Sequence, residues 1–232
     1  MGAWPVAKQR VFHVGVKTLL CAVRVLRLLA LLGMGCVWGW AHAGAQHEEP
    51  LIDSVRTALS AAVAQLGPPE PVHANDAAAQ AYARWLQHSE VRLHAFLKRR
   101  ESQAHELGAT ALRREFLQTV WYESQRAGLD PSLVLGLIQV ESGFRKFAIS
   151  AAGARGYMQV MPFWTHVLSE GDASVLFQTQ ANVRFGCVIL RHYLQRESGD
   201  LTLALGRYNG SRGQSAYPKA VLSAQRQWVV QH

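Results

Sequence analysis

Glu141 stands where a carboxyl group is costly to ionise. Asp130-Pro131 supplies a capping residue and a proline for the first helical position, and Gly143 supplies a stop, so a helix is expected between them. Within it Val134, Leu137, Ile138 and Glu141 fall at i, i+3, i+4 and i+7, which places the carboxyl on the apolar face. Burial disfavours the charged form and the negative end of the helix dipole pushes the same way, so both raise the pKa. A carboxyl kept protonated near neutral pH is a general acid. A glutamate at the solvated rim of a last turn is the ordinary alternative, and the helix by itself does not choose between them.

Three motifs follow in order: Glu141-Ser142-Gly143-Phe144, then Gly153-Ala154-Arg155-Gly156-Tyr157-Met158-Gln159-Val160-Met161-Pro162, then Tyr208-Asn209-Gly210. Each is weak alone. In this order and at these separations they resemble the catalytic domain of the soluble lytic transglycosylase family, whose relatives include goose-type lysozymes, over roughly residues 129 to 228. The resemblance implies a mainly α, lysozyme-like domain with at most a very small β element, acting without a cofactor. It also implies a role for each matched position. Glu141 becomes the general acid and then base; Ser150 helps hold the acid and the substrate's acetamido group; Gln159 and Met161 contact substrate; Tyr208 hydrogen-bonds the catalytic carboxyl, with Asn209 beside it; Asn182 matches an asparagine of the intervening helix. Tyr157 stands where the family more often has Leu, and Gly210-Ser211 where Ala-Gly is more usual; neither departure removes a reacting group. Each position also has an ordinary reading: Gln159 and Met161 at a core edge, Ser150 as a cap, Gly153 and Gly156 as turn formers.

A solitary acid fits this chemistry. Ordinary glycoside hydrolysis needs two carboxylates, about 5 to 5.5 Å apart for retention and about 6.5 to 9.5 Å for inversion. After Glu141 the remaining acids, Glu170, Asp172, Glu197 and Asp200, all sit beside Gly or Ser in polar stretches. A lytic transglycosylase needs no second carboxylate, because the muramoyl 6-hydroxyl is the nucleophile and the product is a 1,6-anhydro end. A hydrolytic muramidase on the same fold would need Glu170 or Asp172 over the cleft. A catalytically silent peptidoglycan-binding scaffold is the non-enzymatic alternative. His105, His166 and His192 lack metal-ligand spacing, so no metal site is expected.

The elements that must hold these residues read as helices. Leu51 to Leu66 is amphipathic, Gly67-Pro68-Pro69-Glu70-Pro71 is a linker or hard turn, and Ala77 to Leu107 carries a stripe of Trp85, Leu86, Leu93, Phe96 and Leu97. Residues 109 to 127 form a further helix, with Leu112, Phe116, Val120 and Tyr122 spaced to pack. No segment alternates well enough for a large sheet. Trp164, Phe163, Tyr193 and Trp228 read as core before sugar platforms. The formal charge of +8 loses five cations if the region before Glu48 is removed, which leaves +3 and little support for a nucleic-acid role. That region has basic residues up to Arg27, an apolar run from Leu28 to Trp40 and Ala41-His42-Ala43, the pattern of an export signal cut after Ala43. Cys21 and Cys36 would leave with it, and Cys187, in an apolar run, reads as an inert buried thiol. The expected organisation is a signal over 1–43, helix and linker over 44–76, a helical extension over 77–128 and the catalytic domain over 129–232. A periplasmic monomer acting on peptidoglycan glycan strands is the corresponding expectation, with retention of the leader as an anchor and any cell-wall or secretion-machinery partner left open.

Overall fold

The computed structural model describes residues 46–51, 53–64, 75–100 and 106–230, so the leader, Leu66 and the proline-rich segment lie outside the described residues. Eight α-helices and one 3-10 helix order the rest: α1 (Asp53–Ala64), α2 (Asp76–Lys98), α3 (Thr110–Arg126), α4 (Pro131–Glu141), α5 (Phe163–Leu168), the 3-10 helix (Ala173–Phe177), α6 (Thr179–Arg196), α7 (Leu201–Asn209) and α8 (Ala216–Gln225). β structure among the described residues is limited to two isolated bridges, Ile149 with Arg155 and Arg155 with Val160. The mainly helical expectation holds. No described helix is long and apolar enough to cross a membrane.

Helix α4 is the central element. Asp130 caps it by accepting from the Ser132 N–H at 2.8 Å, Pro131 opens it, and every residue from Pro131 to Ile138 is buried. It is therefore enclosed on all sides, beyond the single apolar face that its spacing announced. Its most extensive partner is α8. A Cβ on Gly136 would lie 2.6 Å from the Gln225 backbone nitrogen and 3.0 Å from the Val221 carbonyl, so the two backbones touch. With Gln225 beside Ser132 and Tyr217 beside Glu141, the helices run antiparallel, and the start of α8 meets the end of α4.

Helices α2 and α3 brace this pair. Trp85, Leu93, Phe96 and Leu97 are buried on α2, as the stripe requires. On α3 the buried face is Arg113, Phe116, Leu117, Val120, Glu123 and Ser124, so Leu112, expected to pack, lies off it and is 47% exposed, while Tyr122 is partly buried. The face is completed by polar groups that a search for apolar periodicity passes over: Arg113 pairs with Glu90 at 2.9 Å, and Glu123 takes Arg184 at 3.0 Å and Arg126 at 2.8 Å. Those arginines also donate to the Val63 and Ala62 carbonyls, tying the end of α1 to α3 and α6. Ahead of α1, Gln46 accepts from the Trp164 indole at 2.8 Å and Glu49 pairs with Arg196 and, at 2.8 Å, with Arg207. Trp164, Tyr193, Trp228 and Cys187 are all core. Burial pushes the Cys187 thiol up, as an inert thiol requires.

Candidate active site

Helix α4 ends on Glu141, and the chain then turns sharply through Gly143 and Phe144, both in the left-handed region, at φ 59° and 65°. The Phe144 ring fills the space between Phe96, Phe116 and Trp228, which over-determines a backbone that a bulky residue disfavours. Gln159, at φ 49°, is a second strained residue of the same region.

Glu141 is 5% exposed. Its Oε1 accepts from the Tyr217 hydroxyl, and its Oε2 is buried without a hydrogen-bond partner. Burial pushes its pKa up to about 8, a rise that the Tyr217 hydrogen bond opposes. The group is thus protonated at neutral pH, with one oxygen held and the other uncommitted. That is the state of a proton donor.

The tyrosine that holds it corrects the sequence reading. Tyr208, matched to that role, donates instead to the Met158 carbonyl at 2.8 Å. It projects from α7 onto the motif loop, whereas Tyr217 sits in the first turn of α8, alongside the end of α4. The usable signal was modest: Ala216-Tyr217-Pro218 opens a helix shortly after Tyr208-Asn209-Gly210. Tyr208→Phe leaves the carboxyl's hydrogen bond in place and orphans a buried carbonyl. The expected outcome is about 1–3 kcal/mol of lost stability in thermal melts, with no movement of the pH–activity profile.

Asn182 is engaged by backbone. Its side chain accepts from the Met158 N–H at 2.8 Å and donates to the Arg155 and Leu176 carbonyls at 2.9 and 2.8 Å. Both amide donors are therefore committed to backbone, one to the loop and one to the 3-10 helix, and Asn182 braces the two together. Gly156, at φ 76°, permits this: a Cβ there would lie 2.3 Å from the Asn182 amide nitrogen. Gln159 donates to the Ala148 and Gly156 carbonyls at 3.1 and 2.9 Å, and the Ser150 hydroxyl accepts from the Ala154 N–H at 3.0 Å. Met161 is partly buried against the core, and Asn209 is buried at the end of α7. The structure thus ties the third motif to the second through Tyr208 and Met158, and sets the Tyr217 hydroxyl against the Glu141 carboxyl.

Three of the four other acids after Glu141 are occupied. Asp172 caps the 3-10 helix and Asp200 caps α7, while Glu197 pairs with Arg207 and Arg212, whose hydrogen bonds, Arg212 first, hold its carboxyl down to about 2. Glu170 is exposed in a bend. Among the described residues no group of three His, Cys, Asp or Glu side chains is placed to hold a metal ion.

Residues 118–228 match the model of the transglycosylase SLT domain. The chain is 51% identical over 49 residues to a membrane-bound lytic murein transglycosylase C of Mannheimia succiniciproducens, covering 21% of this chain and 14% of that protein. It is 34% identical over 101 residues to a transglycosylase of Enterobacteria phage PRD1, covering 44% of this chain and 37% of that one. With a lytic transglycosylase Slt of Pseudomonas aeruginosa, solved as an inactive mutant, the likeness covers 63% of this chain and 27% of the other at 21% identity and a TM-score of 0.42. The chain therefore spans well under half the length of these relatives.

Proposed function

We propose, from the match of residues 118–228 to the transglycosylase SLT domain model, that this chain is a peptidoglycan lytic transglycosylase whose acid and base is Glu141. It cuts the β-1,4 bond from N-acetylmuramic acid to N-acetylglucosamine without consuming water. The observation that carries the reading is the buried Glu141 carboxyl, pushed up to about 8, with Oε1 on Tyr217 and Oε2 unpartnered.

In the first step Glu141 gives its proton to the glycosidic oxygen, and that oxygen leaves with the bond's electron pair. The substrate's own N-acetyl oxygen stabilises the cationic anomeric carbon. The Glu141 carboxylate, accepting from Tyr217, then takes the proton of the muramoyl 6-hydroxyl as that oxygen bonds to the anomeric carbon. Glutamate ends as it began, protonated. An internal nucleophile of this kind has an effective molarity of about 10⁵ M or more, which is why no second carboxylate is required.

Gln159, Ser150, Met161 and Asn209 are the substrate contacts that this reading proposes. The domain plan belongs to the same proposal: an export signal over 1–43, a helix and linker over 44–76, a helical extension over 77–128 and a catalytic domain over 129–232, acting as a monomer on glycan strands in the periplasm. The test is the product. Sacculi digested with protein lacking residues 1–43 should release muropeptides lighter by one water than reducing-end muropeptides, measured by mass spectrometry. Reducing ends would point to the hydrolytic muramidase, and no release to a binding scaffold; either result overturns the reading.

A further inference from the structure

The loop that leaves the candidate active site carries an amphipathic patch that the reaction does not use. Phe147 is 57% exposed and Ile149 is 64% exposed, although both lie within a few residues of the fully buried Phe144. Their exposure is built into the backbone. Ala148, between them, is buried, and its carbonyl accepts from the Gly156 N–H at 2.9 Å and from the Gln159 side chain at 3.1 Å. With Ile149 bridged to Arg155 in extended geometry, pinning Ala148 inward turns Ile149 outward, and Phe147 stands out from the turn that the Ala148 N–H closes on the Arg145 carbonyl.

The patch has more than two members. The Phe147 ring lies 5.8 Å from that of Phe177, at the end of the 3-10 helix. Lys146 places its ammonium 5.4 Å from the centre of the Phe147 ring, and Arg155 its guanidinium 5.7 Å from that of Phe177. Among the described residues neither cation makes a salt bridge. Arg155 donates to the Ala173 carbonyl, and the nearby Asp172 is engaged by Ser174. The face is thus apolar at its centre and cationic at its edge, on the same loop as Ser150 and Gln159.

We propose that this patch is a subsite for the stem peptide that hangs from the muramoyl lactyl group, a proposal that rests on the peptidoglycan reading above. The glycan's hydroxyls and acetamido groups are neutral and offer no carboxylate to Lys146 and Arg155, neither of which makes a salt bridge among the described residues. A stem peptide alternates alanine methyl groups with free carboxylates, which is the complement of aromatic rings flanked by Lys146 and Arg155. Its attachment to the sugar beside the scissile bond also brings it to the loop that borders Glu141.

The experiment uses protein lacking residues 1–43 and its Phe147→Ser/Ile149→Ser and Lys146→Ala variants. Each is measured on intact sacculi and on the same sacculi stripped of stem peptides by an amidase. All three side chains are exposed or at the surface, so melting temperatures should match the parent. The expected result is a rise in KM of about tenfold on peptide-bearing strands, with kcat unchanged and activity on stripped strands equal to the parent. Equal loss on both substrates, or no loss on either, overturns the subsite. Pelleting with the two kinds of sacculi, in a Glu141→Gln background, reads the same preference without turnover. It therefore separates failure of the subsite from failure of the proposed reaction. If the substitutions instead abolish binding to anionic lipid vesicles, or dissolve a dimer seen by sedimentation, with no difference between the two sacculi, the patch has another occupant and the proposal falls.

Discussion

Glu141→Gln is expected to lower release of anhydromuropeptides by about 10³-fold or more while leaving glycan binding intact, because in the proposed reaction one side chain performs both proton transfers. That is about 4 kcal/mol of transition-state stabilisation. Glutamine keeps the shape of the side chain and can accept from Tyr217 through its carbonyl, so the buried site is not emptied. The same substitution should make the protein more stable, in a pH-dependent way. The folded carboxyl keeps its proton up to about pH 8, whereas the ordinary value is 4.5. Between these values the unfolded chain binds fewer protons than the folded one, so stability falls as pH rises through the window and levels off above it. Glutamine has no such slope. The gap in melting temperature between variant and parent should therefore widen from about pH 5 to about pH 8.5. A gap that stays constant would mean that the carboxyl titrates as a solvated one does, and the proton-donor account would fail with it. Catalytic groups held in their less soluble state commonly carry such a stability cost.

What was legible beforehand follows from what periodicity and motif order encode. The helix Pro131–Glu141, its cap at Asp130 and the place of Glu141 on its apolar face were readable because capping chemistry and a 3.6-residue apolar repeat are local, whereas the burial of the carboxyl was not. The stripe on α2 was readable for the same reason. The face of α3 was not, because Arg113 and Glu123 are buried through partners 23 and 61 residues away, and no local pattern announces a paired charge. The partners of Asn182 and Tyr208 were hidden in a similar way. Motif position brought them to the right loop, but which backbone atoms they engage is set by how α6 and α7 lie against residues 155–158. The same holds for Gly136. A glycine inside a helix lowers helix propensity, and only the contact with α8 shows why one is there. That contact is what delivers Tyr217 to Glu141.

Tyr217→Phe is the second large effect. Its hydroxyl donates to Glu141 Oε1, a bond that favours the ionised carboxyl and so works against burial. Removing it should raise the carboxyl's pKa further above about 8, and the high-pH limb of the activity profile, where the donor is lost, should move upward. The maximal rate should nevertheless fall by about 10²-fold, because the carboxylate that forms as the proton leaves has lost its one hydrogen-bond donor in a dry site. The two changes have different origins and can be separated. At a pH low enough for Glu141 to be fully protonated in both proteins, altered titration explains none of the remaining deficit, which must belong to the transition state. Tyr208→Phe serves as the control, since its hydroxyl engages Met158 and not the carboxyl. If that variant moves the limb and Tyr217→Phe does not, the reacting pair has been misassigned and α7, rather than α8, carries the residue that tunes the acid.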